Sequence, residues 1–98
     1  MWGGVSWMIA ADDRILRELD KPSRGMTRGN VALNTSFHPS HITRRLRILE
    51  RAGLVESVER EGRLDFWRLS DLGEQYVDDR LREQEIEDLL DEDDLEDV

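Results

Sequence analysis

Apolar residues recur along this chain at two different periods, and the changes of period mark its elements. Ile15, Leu16 and Leu19 form a short stripe at helical spacing. Asp12 or Asp13 is placed to start that helix, and Lys21-Pro22-Ser23-Arg24-Gly25 stops it, because proline cannot continue the hydrogen-bond ladder. Thr27 is a good N-cap for a second helix running to about Asn34, with Val31, Ala32 and Leu33 turned inward. Thr35-Ser36-Phe37 makes a tight connection with Phe37 as its apolar plug. Pro39 suits the first position of a third helix, preceded by His38 or Ser36 as its cap. Ile42, Leu46 and Leu49 are the inward stripe of that helix, Ile48 lies off it, and Gly53 closes it. The period then drops to two. Leu54 to Val58 reads as a strand, Arg60-Glu61-Gly62-Arg63 as a turn, and Leu64 to Leu69 as the return strand with Trp67 and Leu69 inward. Ser70 caps a fourth helix whose stripe is Leu72, Tyr76, Val77 and Leu81.

The pattern predicts an α+β fold with a three-helix core, a two-stranded hairpin and a C-terminal helix over residues 11–82. Residues 1–10 are expected as an N-terminal arm or short helix, in which Trp7 fills the core or meets a partner subunit. Residues 83–98 are expected as an acidic, partly disordered tail, since only Ile86, Leu89, Leu90 and Leu95 interrupt its acids before the final Val98.

Charge changes this picture. The formal net charge is -9, yet residues 24–70 hold nine arginines against five acids, while residues 71–98 hold fourteen acids against two arginines. The basic groups are thirteen arginines and a single lysine, Lys21. An acidic, lysine-poor surface resembles that of halophilic proteins, in which surplus like charge keeps the surface hydrated and concentrated salt screens the repulsion. The lack of cysteine excludes disulfides and thiolate metal sites. No apolar run reaches the roughly 18 residues of a membrane span, so no membrane partner and a cytoplasmic location are expected. His38 and His41 are too few to build a metal centre, and there is no glycine-rich phosphate loop. No enzyme activity, cofactor, metal or small-molecule ligand is expected.

The arginine-rich middle is where chemistry is expected. An exposed helix that fits a major groove, ringed by cations that meet phosphates, is what duplex DNA recognition requires. On the third helix, Ser40, His41, Thr43 and Arg44 are the candidates for base edges, with Arg44 suited to guanine O6 and N7. Arg45 and Arg47 are candidates for phosphates or for local salt bridges, and Thr27, Arg28 and Asn30 at the start of the second helix are candidates for phosphates. Arg60 and Arg63 flank the hairpin tip and are placed to reach an adjacent groove. A homodimer interface is expected from Leu72, Tyr76, Val77 and Leu81, with Trp2 and Trp7 contributing.

Four blocks carry a family resemblance: Ala11-Asp12-Asp13-Arg14-Ile15-Leu16, His41-Ile42-Thr43-Arg44-Arg45-Leu46, Leu49-Glu50-Arg51-Ala52-Gly53-Leu54-Val55 and Leu69-Ser70-Asp71-Leu72-Gly73. The chain resembles winged helix-turn-helix transcriptional regulators, most closely small haloarchaeal ones of the phage-repressor-like kind and more loosely the MarR and PadR groups. The resemblance covers roughly residues 11–77. It implies that the second block lies on a recognition helix, that the hairpin is the wing, and that the protein binds duplex DNA sequence-specifically as a homodimer, often as a repressor. The alternative reading is a winged-helix protein-interaction module without direct DNA binding.

Overall fold

The computed structural model describes residues 4–21 and 25–96. The expected helix stop at Pro22 to Arg24 and the expected partner contact of Trp2 lie outside the described residues. Helix α1 spans Ala10–Asp20, strand β1 Met26–Thr27, helix α2 Arg28–Thr35, helix α3 Pro39–Arg51, strand β2 Val55–Arg60 and strand β3 Arg63–Leu69. Three short helices follow: α4 (Asp71–Val77), α5 (Glu83–Glu87) and α6 (Glu92–Glu96).

The helix termini explain the order of parts. Asp12 does not cap α1 from outside but sits in its first turn, where its carboxylate accepts the Ile9 backbone N–H at 3.1 Å. Thr27 caps α2 by accepting the Asn30 N–H at 3.1 Å. His38 caps α3 through the Ser40 N–H, with Pro39 in the first turn where its missing donor costs nothing. Between α2 and α3 the chain turns at Ser36, left-handed at φ 63°. Helix α3 ends in a Schellman motif. Gly53, at φ 83°, donates to Glu50 and Leu54 donates back to Leu49.

The sheet has three antiparallel strands in the order β1-β3-β2 rather than the two expected. Strand β1 is two residues long, too short to show a period in sequence, and pairs Met26 with Trp67 and Thr27 with Phe66. The β2–β3 turn is two residues, Glu61 and Gly62, both at positive φ (54° and 78°). That is the type I′ geometry matching the twist of a hairpin. The register slips between Val58 and Arg60.

Ile15, Leu16, Val31, Ile42, Leu46, Leu49 and Leu54 make the centre of the core. Ile48, expected off the stripe, is buried as well and belongs to the same core cluster as Ile86 and Leu90 of the tail. Leu33, expected inward, is 77% exposed and stands one position past the Val31–Ala32 face. Residues 83–96 are also more ordered than composition implies. Ile86 and Leu90, four residues apart, are buried, each an apolar burial of about 1.5–3 kcal/mol. The Trp7 indole N–H donates to the Ile86 carbonyl at 3.0 Å, and Ser6 donates to Glu87 through both its backbone N–H and its hydroxyl. The Ser6 hydroxyl and backbone N–H hold the Glu87 carboxyl below its ordinary range.

Trp7 takes the core place that was one of its two expected roles, and Tyr76, expected at a subunit interface, is interior to the monomer too; the polar tips of both are satisfied internally. The Tyr76 hydroxyl donates to Asp13 at 2.6 Å. Burial, then that hydrogen bond, pushes the Tyr76 phenol above its ordinary range.

Helix α4 packs close to the α3–β2 turn. The Ser70 hydroxyl donates to the Gly53 carbonyl and accepts the Gly73 N–H, and the Ser70 N–H donates to Leu54. A Cβ on Gly73 meets the Leu54 carbonyl oxygen, which is backbone and cannot yield. Gly73→Ala therefore loses about 1–3 kcal/mol of stability to overpacking despite alanine's better helix propensity. Gly29→Ala, where a Cβ has only the Thr27 Oγ1 at 4.0 Å, gains up to about 1 kcal/mol. Urea unfolding of both variants beside the parent checks the contrast in sign.

Candidate nucleic-acid interface

Helix α3 carries most of the expected site, and one side chain fixes which way it faces. Arg45 is buried against Asp12 of α1, with Nε to Oδ1 at 2.7 Å and Nη2 to Oδ2 at 2.5 Å. The same Nη2 donates to the Trp7 carbonyl at 3.1 Å. Arg45, offered to a phosphate by the sequence, is thus an interior cation with its Nε and Nη2 donors committed. The reason is its place in the helical period, since it falls about 40° from Leu49 at the edge of the inward side. At roughly 100° per residue, pinning Arg45 inward sends Ser40, Thr43, Arg44 and Arg47 to the opposite side, within an arc of about 100°.

Ser40, Arg44 and Arg47 are exposed and Thr43 is half-buried. The Ser40 hydroxyl lies 2.8 Å from His38 Nδ1. Thr43 donates to the Pro39 carbonyl at 3.0 Å and accepts from Arg28 Nη1 at 3.2 Å. That bond ties the start of α2 to the middle of α3. His41 falls nearer the Arg45 side and is half-buried, with Phe37 against it edge-on at 5.9 Å between ring centroids. Its placement is that of a packing residue for the α2–α3 turn more than of a free reading group.

The start of α2, the middle of α3 and the return strand β3 converge on an open hollow of about 250 Å³. Thr27, Arg28 and Gly29 line it from α2; Thr43, Leu46 and Arg47 from α3; Asp65 and Trp67 from β3. Asn30 is exposed one position beyond, its N–H taken by the Thr27 cap. A helix start with two guanidinium groups beside it suits an anion. The wing arginines do not line the hollow. Arg60 lies over the Phe66 ring at 4.7 Å, and Arg63 pairs with Asp65 at 3.0 Å.

Whether nearby acids neutralise this face decides what it can attract. Glu50 accepts from the Ser57 hydroxyl and Glu56 pairs with Arg68, its cross-strand partner. Arg47 makes no hydrogen bond or ion pair among the described residues. The tail bonds elsewhere, through Ser6, Trp7 and the Arg51 guanidinium, which donates to the Asp94 carbonyl at 3.2 Å. Sequence reasoning missed Asp65, an acid inside a basic face. The alternation that turns Trp67 inward turns Asp65 the same way, and that was the available signal. It also missed Asp12 as the partner of Arg45.

Among the described residues no group of three or more His, Asp or Glu is placed to hold a metal ion, and no helix is long and apolar enough to cross a membrane.

A helix-turn-helix followed by a hairpin, with α3 presenting its polar side beside that hairpin, defines a winged helix-turn-helix. The chain belongs to the winged helix-turn-helix phage repressor family, whose family model matches residues 1–89. No curated protein matches it.

Removing Arg45 strands Asp12 in the core. Arg45→Ala is expected to cost about 3–5 kcal/mol, whereas Asp12→Leu combined with Arg45→Met recovers most of that loss. Urea unfolding of the single and double variants checks both values, and a single variant as stable as the parent would contradict the buried pair.

Proposed function

We propose that this protein is a sequence-specific, duplex-DNA-binding transcriptional regulator, a repressor acting as a homodimer. The observation that carries the reading is the hollow shared by α2, α3 and β3, where Arg28 and Arg47 stand beside a helix start on the same side as the exposed polar face of α3. Membership of a phage repressor family supports it.

In this reading α3 enters the major groove. Arg44 is the leading candidate for a bidentate contact to guanine, with Ser40 and Thr43 beside it. Arg28 and Arg47 hold phosphates flanking the groove, and Thr27 fixes the α2 start that points at one of them. Arg60 and Arg63 reach the neighbouring backbone from the wing. Binding occurs against a chain of net charge -9, so salt works in two directions. It weakens phosphate contacts by counterion competition and relieves the repulsion between DNA and the acidic remainder of the protein.

The homodimer is assigned to Leu72, Val77 and Leu81, which are half-buried and keep part of their apolar surface outward. Two-fold symmetry then calls for an inverted-repeat operator with half-sites about one helical turn apart.

Selection from a pool of random duplexes in high potassium chloride tests the reading. The parent is expected to enrich one inverted repeat and Arg44→Ala to lose the enrichment. Arg47→Ala is expected to weaken all duplexes alike and to lower the salt slope by about 0.9 per lost phosphate contact. A folded parent that enriches nothing across a salt series overturns the DNA reading and favours a protein partner for the same face.

A further inference from the structure

Asp65 is an acid in the wall of a cavity otherwise suited to anions. One of its oxygens, Oδ2, pairs with Arg63 of the wing at 3.0 Å. The other, Oδ1, is covered from solvent and has no hydrogen-bond partner among the described residues. A shielded carboxylate oxygen left without a donor is costly, and such a group retained at a working surface calls for an explanation.

The donors that line the same hollow narrow the choice. The Thr43 hydroxyl already donates to the Pro39 carbonyl and accepts from Arg28. Arg28 is held in place by that bond to Thr43. Arg47 faces the hollow with a full set of guanidinium donors and no hydrogen bond or ion pair among the described residues, so turning it toward Asp65 breaks nothing. Helix α3 therefore offers a mobile cation, and β3 offers a fixed acceptor on the other wall.

We propose that Asp65 is a positioning residue for the DNA backbone: when a phosphate enters the hollow, Arg47 bridges it to Asp65 Oδ1. The inference rests on the DNA-binding reading and deepens it. A guanidinium is a rigid fork of five donors, so it can give one edge to the carboxylate and another to the phosphate. The bridge supplies the missing partner of Oδ1, fixes a long side chain that is otherwise free, and locks the wing strand to α3 only in the bound state. The Arg63–Asp65 pair extends the same coupling toward the wing tip.

The test turns on a sign. If Asp65 were only an acid near phosphates, neutralising it would strengthen DNA binding. If it positions Arg47, neutralising it weakens binding. Binding of a 30-base-pair mixed-sequence duplex is measured by fluorescence anisotropy across a potassium chloride series for the parent, Asp65→Asn, Arg47→Ala and the double variant, each checked for folding by thermal melting. The expected result is a roughly three- to tenfold loss of affinity in Asp65→Asn, the size of one typical net hydrogen bond. That loss disappears when Arg47 is already alanine. Tighter binding by Asp65→Asn, or an equal loss in the presence and absence of Arg47, overturns the inference while leaving the DNA reading intact. A parent that binds no duplex overturns both. Should Asp65→Asn fail to fold, the arginine side-chain resonances of the parent decide. Slowed exchange of the Arg47 Nε–H on adding duplex supports the bridge, and an unchanged exchange rate overturns it.

Discussion

The contact between Asp12 and Arg45 sets the rest of the structure, because it determines the rotation of α3. A helix with Ile42, Leu46 and Leu49 on one side already has an inward direction, but an apolar stripe alone tolerates some rotation about the axis. A two-pronged ion pair at 2.5 and 2.7 Å does not. It joins α1 to α3, and through the Trp7 carbonyl it also engages the segment before α1. Such a pair adds little net stability, since desolvating two charges offsets most of their attraction. Its value here is directional. With Arg45 held inside, Arg44 and Arg47 have only the outer face left, and two adjacent arginines in sequence acquire opposite fates.

The same anchor reaches the acidic end of the chain. Trp7 passes its carbonyl to Arg45 and its indole N–H to Ile86, so the core pair and the docked tail share one residue. Ser6 bonds to Glu87 next to it, and Arg51 at the end of α3 bonds to Asp94. The tail is held by groups at the C-terminal end of α3 and in the segment before α1, whereas Thr43 and Arg47 line the hollow from the middle of that helix. A chain that is strongly acidic overall thereby docks its acid-rich tail through residues that do not line the hollow. Asp65 is the one acid among the residues that do line it, which is why it stands out.

What was legible in the sequence follows from how locally each feature is determined. Thr27 and Ser70 cap their helices through bonds to residues three positions on, Pro39 directly follows the cap at His38, and Gly53 directly follows the end of α3 and donates three residues back to Glu50. The stripes of α1 and α3 needed only their own period. Strand β1 was invisible because two residues carry no period, and its partner lies forty residues on. Ile48 and Ile86 were misjudged because both belong to a core cluster that joins distant segments, and an acid-rich composition conceals that four-residue spacing of Ile86 and Leu90 is a docking face. Arg45 was offered to a phosphate because charge was taken to outrank position, and its partner Asp12 was read only as a helix start. The period placed both inward, and each is tolerated there only by the other. The hollow is assembled from three segments, so single positions could nominate its arginines but not show that Asp65 stands among them.

The short α4 constrains how two copies can meet. It ends at Val77, and a left-handed Asp79 at φ 59° turns the chain away within two residues. Tyr76 and Trp7, two of the large side chains expected at such an interface, are already interior to the monomer. Among the described residues of the expected interface, what remains outward is the partial surface of Leu72, Val77 and Leu81, a small apolar strip. A homodimer built there has little to hold it in free solution against the like charge of two acidic chains. The symmetry of the proposed complex then comes from the operator: two half-sites bring two copies within reach, duplex and concentrated salt offset the repulsion, and a small apolar strip is enough once association is no longer paid for from dilute solution.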